Sequence, residues 1–253
     1  MLRSIVPPRI LGVIPARFNS SRFPGKALVP IAGKSMLQHV YERAGQARYL
    51  SKLLIATDDE RVYSAARDFG GLVRMTRADH MSGTDRAAEV ASAEDATLIV
   101  NIQGDEPLID PDAIDAAVLS MIEDEEAPMS TLKKRITEEQ EVANPHVVKV
   151  VTDLAGNAIY FSRCPIPHVR GADSNGVAHF KHIGLYVYRR DFLLRYSELP
   201  VGPLEESERL EQLRALENGF RIRVVETEYD SLGVDTPEDL ERVSAMFEAS
   251  LLR

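Results

Sequence analysis

Acidic residues are missing from the first 41 positions, although the chain as a whole carries a net charge of −9. Arg3, Arg9, Arg17, Arg22, Lys26 and Lys34 make that stretch +6 and leave the remaining residues at −15. Cysteine is nearly missing too. Cys164 stands alone, so no disulfide can form within the chain, which fits a reducing, cytoplasmic setting. It precedes Pro165 in an apolar neighbourhood, and the buried habit of free cysteine predicts a small packed side chain. No apolar run approaches the ~20 residues of a membrane span, and residues 1–9 lack the apolar core of a secretory signal, so no membrane insertion is expected. There is no G-x-G-x-x-G turn. Gly33-Lys34-Ser35 is not the end of a Walker loop, because that motif needs a glycine where Leu28 stands. His179 and His182 have no further ligands at zinc-like spacing, and on a strand they point to opposite faces. The positive charge forms an island rather than the broad basic surface that nucleic acid needs, so no nucleic-acid partner is expected.

With 253 residues and 44% apolar content, the chain can build a substantial core. Apolar runs at 10–14, 53–56, 72–75 and 97–102 read as strands buried on both faces. Helical patterns lie between them: the stripe Met36, Leu37, Val40, Tyr41 and Ala44, and the segments 60–69 and 85–93. Asp110-Pro111 supplies an N-cap and a first-turn proline. This alternation predicts an α/β fold, a mostly parallel twisted sheet flanked by helices. Strand-like runs at 129–136, 147–151, 158–162 and 183–188 lack long helices between them and predict antiparallel or mixed additions. Residues 169–178 read as a loop. Residues 204–218 read as one helix, with Leu210, Leu213 and Leu216 inward and Gly219 at its end, followed by a strand at 221–226. Thr236-Pro-Glu-Asp239 opens the last helix. One domain is expected, with its main sheet over about 8–128 and 221–250 and a smaller mixed-sheet lobe over about 129–200.

The positive island is densest in Pro15-Ala-Arg-Phe-Asn-Ser-Ser-Arg-Phe-Pro-Gly-Lys26, directly after the first strand. Ligands of parallel α/β sheets bind outside the carboxyl ends of the strands. A loop there with guanidinium groups, a lysine, hydroxyls and Gly25 suits a polyphosphate. Asn101-Ile-Gln-Gly-Asp-Glu-Pro107 follows another strand. A carboxylate facing a cationic loop is suited to Mg²⁺ bridging it to phosphate, and Asp105 is the candidate. Asp235, in the turn before the final helix, is either a second ligand or a turn residue.

Together the segments IPARFNSSRFPGK at 14–26, TRADHMSGTDR at 76–86, NIQGDEP at 101–107, YFSR at 160–163, HIGLYVYR at 182–189, LEQLR at 210–214 and GVDTPEDL at 233–240 resemble the 3-deoxy-manno-octulosonate cytidylyltransferases, or CMP-Kdo synthetases. The resemblance runs from about Ile10 to Val243. It implies a nucleotide-diphospho-sugar transferase-like fold, a homodimer formed through the smaller lobe, and transfer of CMP from CTP to Kdo for lipopolysaccharide synthesis. It implies that Arg17, Arg22 and Lys26 hold the CTP triphosphate, with Ser20 also among the nucleotide-binding residues. Arg77, Ser82 and Gly83 would lie by the cytidine, with Gln103 also on the nucleotide. Asp105 and Asp235 would bind Mg²⁺. Arg163, His182, Tyr186, Glu211 and Gln212 would line the Kdo pocket, with Arg163 facing the sugar carboxylate. Arg17, Arg22, Lys26, Asp105 and Asp235 are thus the expected catalytic set. An amino-Kdo or another acid sugar is the alternative substrate, and a non-catalytic nucleotide-sugar-binding module or a glycosyltransferase the alternative of another class.

Overall fold

Each of the apolar runs near the amino terminus becomes a strand, and their period of two sends side chains to both faces. The computed structural model describes residues 8–19, 23–170 and 177–251. The first half comprises β1 (Ile10–Pro15), a 3-10 turn (Lys26–Leu28), a small ladder of β2 (Pro30–Ile31) and β3 (Lys34–Ser35), α1 (Met36–Ala44), β4 (Lys52–Thr57), α2 (Glu60–Asp68), β5 (Val73–Met75), α3 (Gly83–Ser92), β6 (Leu98–Asn101) and α4 (Pro111–Glu123). The second half comprises β7 (Met129–Arg135), α5 (Glu139–Ala143), β8 (Lys149–Thr152), β9 (Ala158–Ser162), β10 (Phe180–Arg189), α6 (Arg190–Tyr196), α7 (Pro203–Glu208), α8 (Leu213–Glu217), β11 (Ile222–Glu226) and α9 (Pro237–Leu251).

The main sheet has the order β11-β7-β10-β6-β1-β4-β5. Along it β1 is parallel to β4 and β6, β4 to β5, and β7 to β11, while β10 runs antiparallel to both β6 and β7. Strand β1 shows why both faces are dry. Ile10 and Ile14 pack with Leu37 and Val40 of α1 and Ile114 of α4, whereas Leu11 and Val13 pack with Val90 of α3 and Phe192 of α6. A third apolar cluster joins Ile31 and Met36 to Val234 and to Val243 of α9. It seats the start of the last helix against the segment that follows the cationic loop.

Segments 129–136 and 183–188, which the sequence pattern groups with a smaller lobe, run inside the main sheet as β7 and β10. Among the described residues only the β8–β9 hairpin hangs off the path of this sheet, joined to β10 at Lys181↔Lys149. The stretch 204–218 is two short helices rather than one. Arg209 adopts a left-handed backbone (φ 54°) and breaks it, so that Glu208 turns to β9 and Glu211 and Gln212 are presented inward. Cys164 is exposed, not packed: it follows the end of β9, where the chain leaves the sheet. Residues 171–176 of the expected loop lie outside the described residues, as do Ser20 and Arg22. The caps are as the sequence predicts. Asp110 accepts from the Asp112 N–H, and Thr236 and Asp239 form a reciprocal cap on α9.

Candidate active site

The site forms where β1 and β6 end, and a glycine sets their distance. A Cβ on Gly104 would lie 2.7 Å from the Pro15 carbonyl oxygen, so only glycine lets the 103–105 turn pack on the end of β1. Gly25, at φ 75°, begins the 3-10 turn with its N–H bonded to the Phe18 carbonyl at 2.7 Å. That closes the cationic loop and aims Lys26 across the sheet edge.

Lys26 Nζ donates to Asp105 Oδ2 at 2.6 Å, to Asp235 Oδ1 at 2.9 Å and to the Val234 carbonyl at 3.1 Å. Burial opposes its charge, but Asp105 and Asp235 outweigh burial and raise its pKa above the ordinary lysine value. The two loops that carry the aspartates are tied directly, Val234 N–H to the Asp105 carbonyl at 2.9 Å. Neighbouring Glu106 points inward. Burial pushes its carboxyl up to about 7, and the Tyr229 hydroxyl donates to it at 2.9 Å. Arg17, Lys26, Gln103 and Asp105 line one cleft of about 90 Å³.

Whether the aspartates suit a divalent cation can be judged from Lys26. One ammonium nitrogen touches both carboxylates, so both can reach a single centre. Among the described residues no group of three or more His, Cys, Asp and Glu converges at ligand spacing. Two carboxylates with phosphate oxygens and water completing the shell is the arrangement Mg²⁺ favours, and the residues present fit it.

The flanks differ in how they meet this cleft. Arg17 Nη2 donates to the His80 carbonyl at 2.6 Å, and the His80 ring is held by Glu89. Ser82 and Asp85 form a capping box that starts α3, and Gly83 packs on Pro15. Arg77 is exposed and ion-paired outward with Asp79 at 3.1 Å. It lines a separate cavity with His80, Glu89 and Arg214, not the Lys26 cleft. Gln103 connects the cleft to β10: its Nε2 donates to the Gly184 carbonyl at 3.0 Å.

On β10, His182 and Tyr186 are neighbours, with ring centroids 5.4 Å apart, and Phe161 of β9 meets His182 edge-on at 5.0 Å. Burial depresses the His182 pKa to about 3 and raises Tyr186 well above the usual phenol value. Burial also raises the Glu211 carboxyl, with Thr84 and Arg214 acting against it. Glu211 Oε1 lies 3.5 Å from the Ser82 hydroxyl, which brings the α3 cap to the α7–α8 turn. The buried Gln212 Nε2 has no partner among the described residues. Arg163 donates to the carbonyls of Glu208 (2.7 Å), Pro145 (3.0 Å) and Arg209 (3.5 Å), and among the described residues two of the five N–H bonds of its guanidinium remain for a ligand. Glu208 holds it there, accepting from the Arg163 N–H at 2.9 Å and from Ser162 at 2.6 Å. Glu208, Glu89 and Thr131 do not stand out in the sequence. They act on neighbours that only the fold supplies.

The chain matches the cytidylyltransferase family over residues 11–223. It is 72% identical to the 3-deoxy-manno-octulosonate cytidylyltransferase of Solibacter usitatus, across 98% of each chain. It is 59% identical to that of Syntrophotalea carbinolica, across 93% of this chain and 97% of the relative. A solved CMP:2-keto-3-deoxy-manno-octonic acid synthetase complexed with CTP superposes with a TM-score of 0.92 at 46% identity, covering 96% of this chain and 99% of the other. A cytidylyltransferase from Leptospira borgpetersenii shares the fold, with a TM-score of 0.63 at 17% identity over 96% of this chain and 87% of its own.

Proposed function

The chain belongs to the cytidylyltransferase family and, within it, to the 3-deoxy-manno-octulosonate cytidylyltransferases, and from this premise we propose that it transfers CMP from CTP to the anomeric hydroxyl of Kdo, releasing pyrophosphate. The observation that carries the site assignment is Lys26 Nζ in contact with both Asp105 and Asp235. Lys26 of the first loop lines one cleft with Asp105 and also contacts Asp235, an arrangement that suits the joining of two anions.

Arg17 and Lys26 hold and neutralise the triphosphate, with Ser20 and Arg22 completing the loop's set. Gln103, Ser82, Gly83 and Arg77 serve the nucleotide. Arg163, His182, Tyr186, Glu211 and Gln212 receive the acid sugar, and the free N–H bonds of Arg163 take its carboxylate. The anomeric hydroxyl attacks the α-phosphorus in line and gives up its proton to solvent water, the bond from the α-phosphorus to the bridging β-phosphate oxygen breaks, and pyrophosphate leaves into the cationic loop. Such chemistry asks mainly for positioning and charge neutralisation. Asp105 and Asp235 would hold Mg²⁺, which when bound supplies positive charge to the phosphate oxygens and orients them. No side chain is required as a general base.

The chain forms one nucleotidyltransferase domain and pairs as a homodimer. The β8–β9 hairpin, which exposes Leu154 and Ile159, supports that pairing. Use of CTP and a lone free thiol support a cytoplasmic setting for the reaction. Purified protein given CTP, Kdo and Mg²⁺ is expected to release pyrophosphate, and to stop when either Kdo or Mg²⁺ is omitted. Release that ignores Kdo, or that needs an amino-Kdo in its place, contradicts the reading.

A further inference from the structure

Strand β10 is irregular where it passes the candidate sugar pocket. Its register against β7 shifts between Ile183 and Tyr186, a bulge that frees backbone groups from the ladder. Thr131 of β7, fully buried, stands opposite this bulge. Its Oγ1 lies 3.0 Å from the Ile183 carbonyl, 2.9 Å from the Leu185 carbonyl and 2.9 Å from His182 Nε2.

A hydroxyl has one proton to give and two lone pairs to receive with. Carbonyl oxygens only accept, so the Thr131 proton is committed to the pair Ile183 and Leu185. Nothing then remains for a bare Nε2 to accept. The contact at 2.9 Å is a hydrogen bond only if Nε2 carries the proton and donates it to Thr131 Oγ1. The burial that keeps this imidazole neutral agrees, because a neutral ring holds one proton and it is already placed. Nδ1 is left unprotonated, and it makes no hydrogen bond among the described residues. The same bulge carries Gly184, whose carbonyl accepts from Gln103 at 3.0 Å. The element that fixes the histidine is thus joined to the nucleotide cleft.

We propose that Thr131 is a positioning residue for the transfer reaction: it locks His182 in the Nε2–H form, so that Nδ1 is presented as an acceptor for a hydroxyl of the acid sugar. This rests on the reading that His182 faces the sugar, given above. It assigns Thr131 a role in sugar recognition and none toward CTP. Serine can replace it in kind, because only the hydroxyl is used. Valine cannot, although its shape is the same.

The test is histidine-ring ¹⁵N–¹H correlation NMR of the full chain, with steady-state kinetics of Thr131→Val and Thr131→Ser. In the unaltered protein His182 is expected to show a protonated Nε2 and a bare Nδ1. That measurement needs no variant to fold, and an Nδ1–H form or an imidazolium at neutral pH overturns the proposal. In Thr131→Val the Nε2–H signature is expected to give way to a mixture of forms. The KM for Kdo should rise about tenfold, as for loss of one oriented hydrogen bond, while the KM for CTP stays within about twofold. Thr131→Ser should restore both. A changed ring signal with an unchanged KM for Kdo, or an equal rise for both substrates, overturns the proposal. A protein with the expected ring form but no pyrophosphate release with any acid sugar would instead sink the functional reading on which the proposal rests.

Discussion

Replacing Lys26 by methionine should move two affinities in opposite directions. The ammonium occupies both carboxylates, at 2.6 Å from Asp105 and 2.9 Å from Asp235, so a divalent cation must break two ion pairs to reach them. The aspartate side chains are 29% and 40% exposed, which screens both pairs. Pairs of that kind are worth roughly 0.5–1 kcal/mol each, so about 1–2 kcal/mol in all opposes the metal. Lys26→Met removes that opposition, and Mn²⁺, as a spectroscopic stand-in for Mg²⁺, should bind the nucleotide-free protein roughly tenfold more tightly. Catalysis should suffer all the same. A lysine contact to phosphate is a charge-assisted bond worth roughly 1.5–3 kcal/mol, so kcat/KM for CTP should fall on the order of 10- to 100-fold. Calorimetry or Mn²⁺ paramagnetic resonance reads the first effect, and pyrophosphate release the second. Unchanged or weaker Mn²⁺ binding in Lys26→Met would refute the reasoning, because the ammonium and the metal would then not share the two carboxylates.

Gly104→Ala should cost roughly 1–3 kcal/mol of stability and most of the activity, since the new Cβ meets the Pro15 carbonyl at 2.7 Å and neither backbone can give way freely; thermal melting with turnover checks it, and an unshifted melting point contradicts it. The folded His182 has its pKa lowered from 6.5 to about 3, so its contribution to stability is present above pH 6.5 and is lost as the pH falls through the interval down to 3. Between pH 7 and pH 4 that loss amounts to roughly 3 kcal/mol at 1.36 kcal/mol per unit. Urea unfolding of the unaltered protein and of His182→Asn over this range should differ by that slope, and parallel curves would contradict it. Ser162→Ala should raise the KM for Kdo a few-fold without altering that for CTP, because Ser162 helps Glu208 hold the backbone of Arg163; an effect confined to CTP would contradict the placement.

The strands beside the cleft were readable because β1, β4 and β6 are short apolar runs ending in polar loops, and a doubly buried parallel strand has no other appearance. The place of β7 and β10 was not readable. Their composition says strand, but which neighbours they pair with depends on the connection from α4, and pairing of β7 with the distant β11 has no local mark. The helix expected over 204–218 keeps its apolar spacing through Arg209. The break comes from tertiary demands, as Glu208 is drawn to Ser162 and Arg163. The exposure of Cys164 is not legible in its neighbours, because the apolar residues before it belong to a strand that ends at Ser162. At the site, Lys26 and Asp105 could be paired as opposite charges at two strand ends. Asp235 stood open between ligand and turn residue, and the fold places it on Lys26, 209 positions away in sequence.

Turnover of Asp105→Asn at saturating CTP, Kdo and Mg²⁺ tests most directly the claim that these carboxylates and the loop cations serve one reaction. With the fold verified by circular dichroism, a loss of ~10²-fold or more is expected, the scale of removing preorganised charge stabilisation from a transition state. Turnover equal to that of the unaltered protein would contradict the account.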